Sequence, residues 1–147
     1  MSLTELIHEL HQCTRENTPE FTFEGKEFIC KCISVYDGDT ITVAFKPFGD
    51  KIYRYNIRLS GIDTPEIRTT NLTEKTMGIN VRDILWKKIL NRIVVLKCGK
   101  FDKYGRILGE VYTTETNSEN NSKSINQWLI DEGMAYTYDG GTKRVFS

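Results

Sequence analysis

The chain has 147 residues, 20 Lys and Arg against 20 Asp and Glu, and a hydrophobic fraction of 39%. That length suits one domain around a single core. The longest aliphatic run, Ile93 to Leu96, falls far short of the roughly 20 residues of a membrane-spanning helix, so no membrane partner is expected. A neutral balance also excludes the long-range clamp of a strongly basic nucleic-acid binder. The balance is uneven, however: residues 1–24 hold Glu5, Glu9, Glu16, Glu20 and Glu24 against Arg15 alone, so the rest of the chain carries a positive surplus of four.

Ser2-Leu3-Thr4-Glu5 is a capping-box pattern, and Leu3, Leu6, Ile7 and Leu10 follow at helical spacing. They predict a short amphipathic helix packed on the domain. No basic start followed by an apolar block is present, so an intracellular, cytoplasmic location is expected. A polar stretch from Thr14 to Glu20, with Pro19, reads as a linker, giving an N-terminal helix and linker over 1–24 and a single globular domain over 25–147. Cys13, Cys30, Cys32 and Cys98 lack metal-type spacing and read as free thiols; a zinc site from His8, His11 and Cys13 is the weaker alternative.

From Glu27 the apolar period becomes two, predicting strands over 27–36 and 39–46 joined at an Asp37-Gly38 turn, and a third over about 51–60. On that third strand Arg54, Asn56 and Arg58 face away from the apolar side. Ile67 to Thr73 reads as a loop. Met77, Val81, Leu85 and Ile89 recur every four residues as a helix. Strands follow over 93–98 and 107–113, then a solvated loop from Thr114 to Ser122, then a helix capped by Ser124 and stopped by Gly133. Trp86, Trp128 and most tyrosines read as core or helix-packing residues. The expected fold class is α+β, mainly β: a five-stranded Greek-key barrel of the oligonucleotide-binding (OB) type with two packed helices and an extra N-terminal helix.

Three motifs concentrate charge at turns, where folding does not require it: Tyr36-Asp37-Gly38-Asp39-Thr40, Arg58-Leu59-Ser60-Gly61-Ile62-Asp63-Thr64-Pro65-Glu66 and Asp102-Lys103-Tyr104-Gly105-Arg106. Carboxylates such as Asp39 and Asp63, with a main-chain carbonyl and water, are hard oxygen donors for calcium or magnesium. The absence of His and Cys from the motifs argues against zinc. Guanidinium forks at Arg58 and Arg106 suit a phosphodiester whose charge grows in the transition state. The combination points to a metal-dependent nuclease.

Between about Cys30 and Tyr138 these motifs closely resemble those of the staphylococcal nuclease, or thermonuclease, family. The resemblance implies calcium held by Asp39, Asp63 and the Thr64 carbonyl, with magnesium or manganese as substitutes, and Asp37 just behind these ligands. It implies that Glu66 orients or deprotonates the attacking water, that Arg58 and Arg106 hold the scissile phosphate, and that Lys103 and Tyr104 contact a terminal phosphate. The base-stacking tyrosine of the family corresponds to Tyr138 or Tyr136. The implied activity is sugar-non-specific hydrolysis of DNA and RNA by a monomer, leaving 3′-phosphate ends; the rival is a non-catalytic domain of the same fold that binds RNA or protein. Relatives resembling the bacterial enzyme continue into a further C-terminal helix, and residues 3–10 are expected to cover the surface which that helix would protect.

Overall fold

A computed structural model describes residues 1–114, 123–141 and 146. Helix α1 (Leu3–His11) is followed by strands β1 (Glu27–Asp37), β2 (Thr40–Phe48), β3 (Lys51–Leu59) and the two-residue β4 (Ile62–Asp63). Helix α2 (Leu72–Ile89) precedes β5 (Ile93–Phe101) and β6 (Ile107–Thr113), and α3 (Ile125–Asp131) leads to the two-residue β7 (Tyr136–Thr137). The five long strands close a barrel in the order β1-β2-β3-β6-β5, and β4 pairs with β7 apart from it. All the barrel pairings are antiparallel except β3 with β6, where Arg58 lies opposite Leu108. The expected mainly-β OB-type barrel is what forms.

Alternation produces the core directly. Cys30, Cys32 and Val35 of β1, Ile41, Val43 and Phe45 of β2, and Ile57 and Leu59 of β3 point inward and are buried, while their neighbours face out. Helix α2 closes the barrel with Val81, Leu85 and Ile89, the stripe its spacing predicts. At the far end Phe23 sits amid the rings of Phe21, Phe28, Phe45, Phe48, Tyr55 and Phe101, with centroids 4.8 to 6.2 Å away. Phe23 thus belongs to the barrel core although it precedes residue 25. Burial pushes the Cys30 thiol up to about 12, helped by neighbouring Cys98, and those of Cys32 and Cys98 up to about 11. All four cysteines are free.

Several local expectations are corrected. Helix α1 forms, capped by Ser2 whose hydroxyl accepts from the Glu5 N–H at 3.1 Å, but none of its residues is buried, and Leu3 remains 72% exposed. It therefore neither packs on the barrel nor covers it. His8, His11 and Cys13 do not gather into a metal-holding group. Helix α2 begins at Leu72, inside the stretch read as loop, because the Asn71 carboxamide accepts from the Glu74 N–H at 3.0 Å. Trp86 is 47% exposed rather than packed, whereas Trp128 packs against the core. Of the loop expected over 114–122, residues 115–122 lie outside the described residues.

Candidate active site

The first half of the site is made where β1, β2 and β4 end together. The tight turn is Gly38-Asp39, so Asp39 is a turn residue and not the first residue of β2. Its N–H donates to Asp37 Oδ1 at 3.1 Å, the side-chain turn that aspartate favours. Asp39 is then held from the other side: the Thr64 N–H and hydroxyl donate to Asp39 Oδ2 at 3.3 and 3.1 Å, and the Leu59 N–H donates to its carbonyl at 2.8 Å. Gly38 makes this approach feasible, since a Cβ there would lie 2.7 Å from Val81 Cγ1 and 2.8 Å from Thr64 Oγ1.

Glu66 is placed by α2. A Cβ on Gly78 would stand 2.7 Å from the Pro65 carbonyl oxygen and 3.0 Å from that of Glu66, so the helix lies directly on this stretch of main chain. The Glu66 N–H donates to Glu74 Oε2 at 2.9 Å, tying it to the first turn of the same helix.

Arg58 leaves the outer face of β3 and turns inward. Its Nη1 donates to the Leu59 carbonyl at 2.7 Å and its Nη2 to the Ile62 carbonyl at 2.9 Å, with Nη2 also 3.4 Å from Asp39 Oδ2 and 3.9 Å from Asp63 Oδ1. One guanidinium therefore spans the β3–β4 turn and neutralises two buried carboxylates. Arg106 arrives from the β5–β6 turn. Its Nε donates to Asp102 Oδ2 at 2.7 Å, its N–H to Asp102 Oδ1 at 2.9 Å, and its Nη1 reaches Thr40 Oγ1 at 3.4 Å. Burial by itself would raise the Asp102 carboxyl, but these donors, the Tyr104 N–H and the Arg106 charge outweigh it and hold it below the usual carboxylate range.

Two clefts share this wall. One, of about 450 Å³, is lined by Asp37, Asp39, Thr40, Arg58, Glu66 and Arg106 among others. The other, of about 690 Å³, has Arg58 and Arg106 in common with it and adds Lys103, Tyr104 and Tyr138. Tyr104 is 71% exposed, with Lys103 Nζ 5.2 Å and Arg106 Cζ 5.3 Å from its ring centroid. Of the two late tyrosines, Tyr138 lines the cleft; Tyr136 pairs with Asp63 across β4–β7 and stacks on Phe146 at 4.6 Å. Asp63 and Thr64 are buried behind Asp39 and Arg58 and line neither cleft.

The first cleft is crowded with negative charge. Burial, then repulsion from Asp39 and Glu66, pushes the Asp37 carboxyl up to about 7. A cation would relieve that repulsion, and the donors at hand are all hard oxygens, with the three buried thiols confined to the barrel interior. Among the described residues no three His, Cys, Asp or Glu side chains are arranged to hold a metal by themselves. A cation here would need main-chain oxygen and water beside two carboxylates; of Asp39, Asp63 and Thr64 only Asp39 lines the cleft, with the other two buried directly behind it.

Four contributors escape a reading of the charged side chains in the three motifs. Gly38 and Gly78 act through the space they leave, and Glu74 holds the Glu66 backbone. Asn71-x-x-Glu74 is a helix-start signal that marks Glu74 in the sequence. Buried Asn126 carries no such signal, yet its Nδ2 donates to the carbonyls of Ser60 and Gly109 at 2.9 and 3.0 Å and its Oδ1 accepts from the Val111 N–H at 3.2 Å, fastening α3 beneath the second cleft.

Comparison with known proteins identifies the family. A family model described as staphylococcal nuclease homologue matches residues 56–145. The chain belongs to that family. The matched part of this staphylococcal nuclease homologue carries Arg58, Asp63 to Glu66 and the 102–106 turn; Asp37 and Asp39 join it from outside, through pairing of Thr40 with Arg58. An uncharacterised protein of Methanocaldococcus jannaschii is 29% identical over 142 residues, covering 83% of this chain and 65% of its own length. An uncharacterised endonuclease of Escherichia coli is 29% identical over 109 residues, 74% of this chain and 60% of its own. The thermonuclease of Staphylococcus hyicus is 33% identical over 108 residues, 71% and 56% respectively. This chain thus spans less than two thirds of each relative. Among its described residues, no helix is long and apolar enough to cross a membrane.

Proposed function

We propose that this domain is a divalent-cation-dependent nuclease that hydrolyses phosphodiester bonds of DNA and RNA. The observation that carries the reading is the single cleft in which Asp37, Asp39 and Glu66 face the guanidinium groups of Arg58 and Arg106. Relatives named endonuclease and thermonuclease support it. The family resemblance supports the finer terms: calcium as the cation, indifference to the sugar, and 3′-phosphate products.

Asp39, Asp63 and the Thr64 carbonyl would hold the cation, with Asp37 behind them. When bound, it would supply positive charge against the phosphoryl oxygens and the incoming water. Glu66 faces the cleft with its backbone fixed by Glu74 and α2, so its carboxylate can orient a water or take its proton. Arg58 uses two N–H groups on the β3–β4 carbonyls and Arg106 two on Asp102 and Thr40. Each guanidinium has five N–H donors, which leaves others for phosphoryl oxygens. Lys103 and Tyr104 would meet a terminal phosphate and Tyr138 a base in the adjoining cleft.

The test is digestion of end-labelled DNA and RNA by metal-stripped protein with calcium, magnesium or manganese restored singly. Cleavage restored by a cation, with 5′-labelled products whose gel mobility shifts when a 3′-phosphatase removes their new terminal phosphate, is the expected result. Undiminished cleavage in excess chelator would overturn the cation's role. No cleavage under any condition would leave a non-catalytic binding domain.

A further inference from the structure

The first cleft opens along the outer face of β1–β2–β3, a surface the proposed chemistry does not use. Its lining continues outward from the carboxylates through Ser34, Tyr36, Thr42 and Asn56. Register places these side chains in transverse rows. Thr40 lies beside Arg58 at the cleft, and Ser34, Thr42 and Asn56 form the next row, with the Thr42 hydroxyl donating to Asn56 Oδ1 at 2.8 Å. The row beyond is Lys31, Ala44 and Arg54. Two residues further along β2 is Lys46, on the same face.

Lys31, Lys46 and Arg54 are all exposed, and none forms an ion pair among the described residues. Along the outward positions from Thr40 to Lys46 and from Ile52 to Arg58 there is no carboxylate. Negative charge at one end of the track, in the cleft, therefore gives way to positive charge only. At the mouth Tyr36 is half exposed, with Arg68 Cζ 5.6 Å from its ring centroid.

We infer that this face guides a single polynucleotide strand into the cleft, which rests on the nuclease reading and extends it to a substrate class. Three strands span about 10 Å across, the width of one chain rather than of a duplex. Rows recur about every 6.8 Å along the strands, so the Arg58, Arg54 and Lys46 rows offer successive charges to an extended backbone. Tyr36 with Arg68 supplies a ring on which an unstacked base can lie. The middle row of hydroxyl and amide groups offers neutral hydrogen bonds between the charged ones.

The test compares the parent with the triple variant Lys31→Gln, Lys46→Gln, Arg54→Gln. These are surface positions, so folding should be retained. Michaelis constants are measured on a single-stranded 12-mer, a 12-base-pair duplex and a trinucleotide across 50 to 200 mM salt. For the 12-mer the constant should rise about tenfold or more and its salt slope should fall by about two, given roughly 0.7 per single-strand phosphate contact. The trinucleotide, which the cleft holds alone, should keep its turnover and Michaelis constant. An unchanged constant and slope on the 12-mer overturn the inference while leaving the nuclease reading intact. An equal loss on the duplex overturns the single-strand assignment. Failure of the parent to cleave any of the three overturns both readings.

Discussion

Replacing Arg58 with alanine probes the centre of the site, because that side chain holds the β3–β4 turn together beside its proposed role on phosphate. The substitution strips donors from the Leu59 and Ile62 carbonyls and leaves Asp39 and Asp63, whose side chains are only 10% and 4% exposed, without the guanidinium between them. Removing one partner of a buried charge pair costs about 3–5 kcal/mol, and the two lost charge-assisted hydrogen bonds are contained in that figure. At roughly 2–4 °C per kcal/mol for a chain of this size, the melting temperature should fall by about 10 °C. Urea unfolding followed by the fluorescence of Trp86 and Trp128 measures the free-energy change. Adding calcium should return about 2–3 kcal/mol at a hundredfold excess over its dissociation constant, since a cation can replace the lost positive charge. Arg58→Lys should fall between the two, because an ammonium keeps the charge but does not bridge two carbonyls as a planar fork does. A metal-free Arg58→Ala protein whose urea midpoint equals that of the parent would refute the structural part of this reasoning. A midpoint indifferent to calcium in both proteins would refute the cation site.

Other outcomes follow from the same geometry. Glu66→Gln should keep the fold and calcium binding while turnover near neutral pH drops by about 10² to 10⁴, read by single-turnover hydrolysis; parental turnover would remove Glu66 from the chemistry. Gly38→Ala should destabilise by about 1–3 kcal/mol in chemical denaturation, because its Cβ meets Val81 and Thr64 within 2.8 Å, and calcium affinity should weaken as Thr64 is displaced from Asp39. The Asp102 carboxyl lies below its ordinary value of 3.8 in the folded state, so its contribution is present above that pH and is lost as the pH falls through the folded value. The stability gap between parent and Asp102→Asn should therefore close in acid titrations below about pH 4. Iodoacetamide at pH 8 should label Cys13 alone, as mass spectrometry would count, because Cys30, Cys32 and Cys98 are buried with raised thiol values.

Much of the barrel was readable because its strands are long and half-buried, which writes a period of two into the chain. The helix α2 stripe was readable for the corresponding reason at a period near four. Two-residue strands such as β4 and β7 are too short to show any period, and only the pairing of Ile62 with Thr137 and of Asp63 with Tyr136 defines them. The start of α2 shows no stripe because Leu72, Thr73, Lys75 and Thr76 are exposed; the Asn71 cap is the available signal. For α1 the apolar stripe specifies a helix but not its burial, since amphipathicity forms a face without naming what covers it. The charged residues of the three motifs were legible from composition at turns. Their mutual arrangement was not, because Arg58 could be placed on the outer face of β3 by alternation, whereas its turn back toward Leu59 and Ile62 depends on carbonyls supplied by a later bend. Gly38, Gly78 and Asn126 were illegible as site residues because their contributions are room and buried hydrogen bonds.

The parallel seam between β3 and β6 joins residues fifty positions apart, Ile57 with Ile107, while β1, β2 and β3 pair through short turns. During synthesis, which proceeds from the N-terminus, the first three strands can form a meander long before their last neighbour leaves the ribosome. Such an unfinished chain owns every carboxylate of the cleft and Arg58, but not Arg106, Lys103 or Tyr104, and nothing closes the free edge of β3. Under the proposed function, cleaving power would arise only with the final barrel strand, after the message for β1 to β5 has been read. A fragment ending at Lys100 should accordingly be protease-sensitive and inert toward RNA, and mixing it with a peptide covering 101–147 is the measurement that would show whether the seam alone restores both properties.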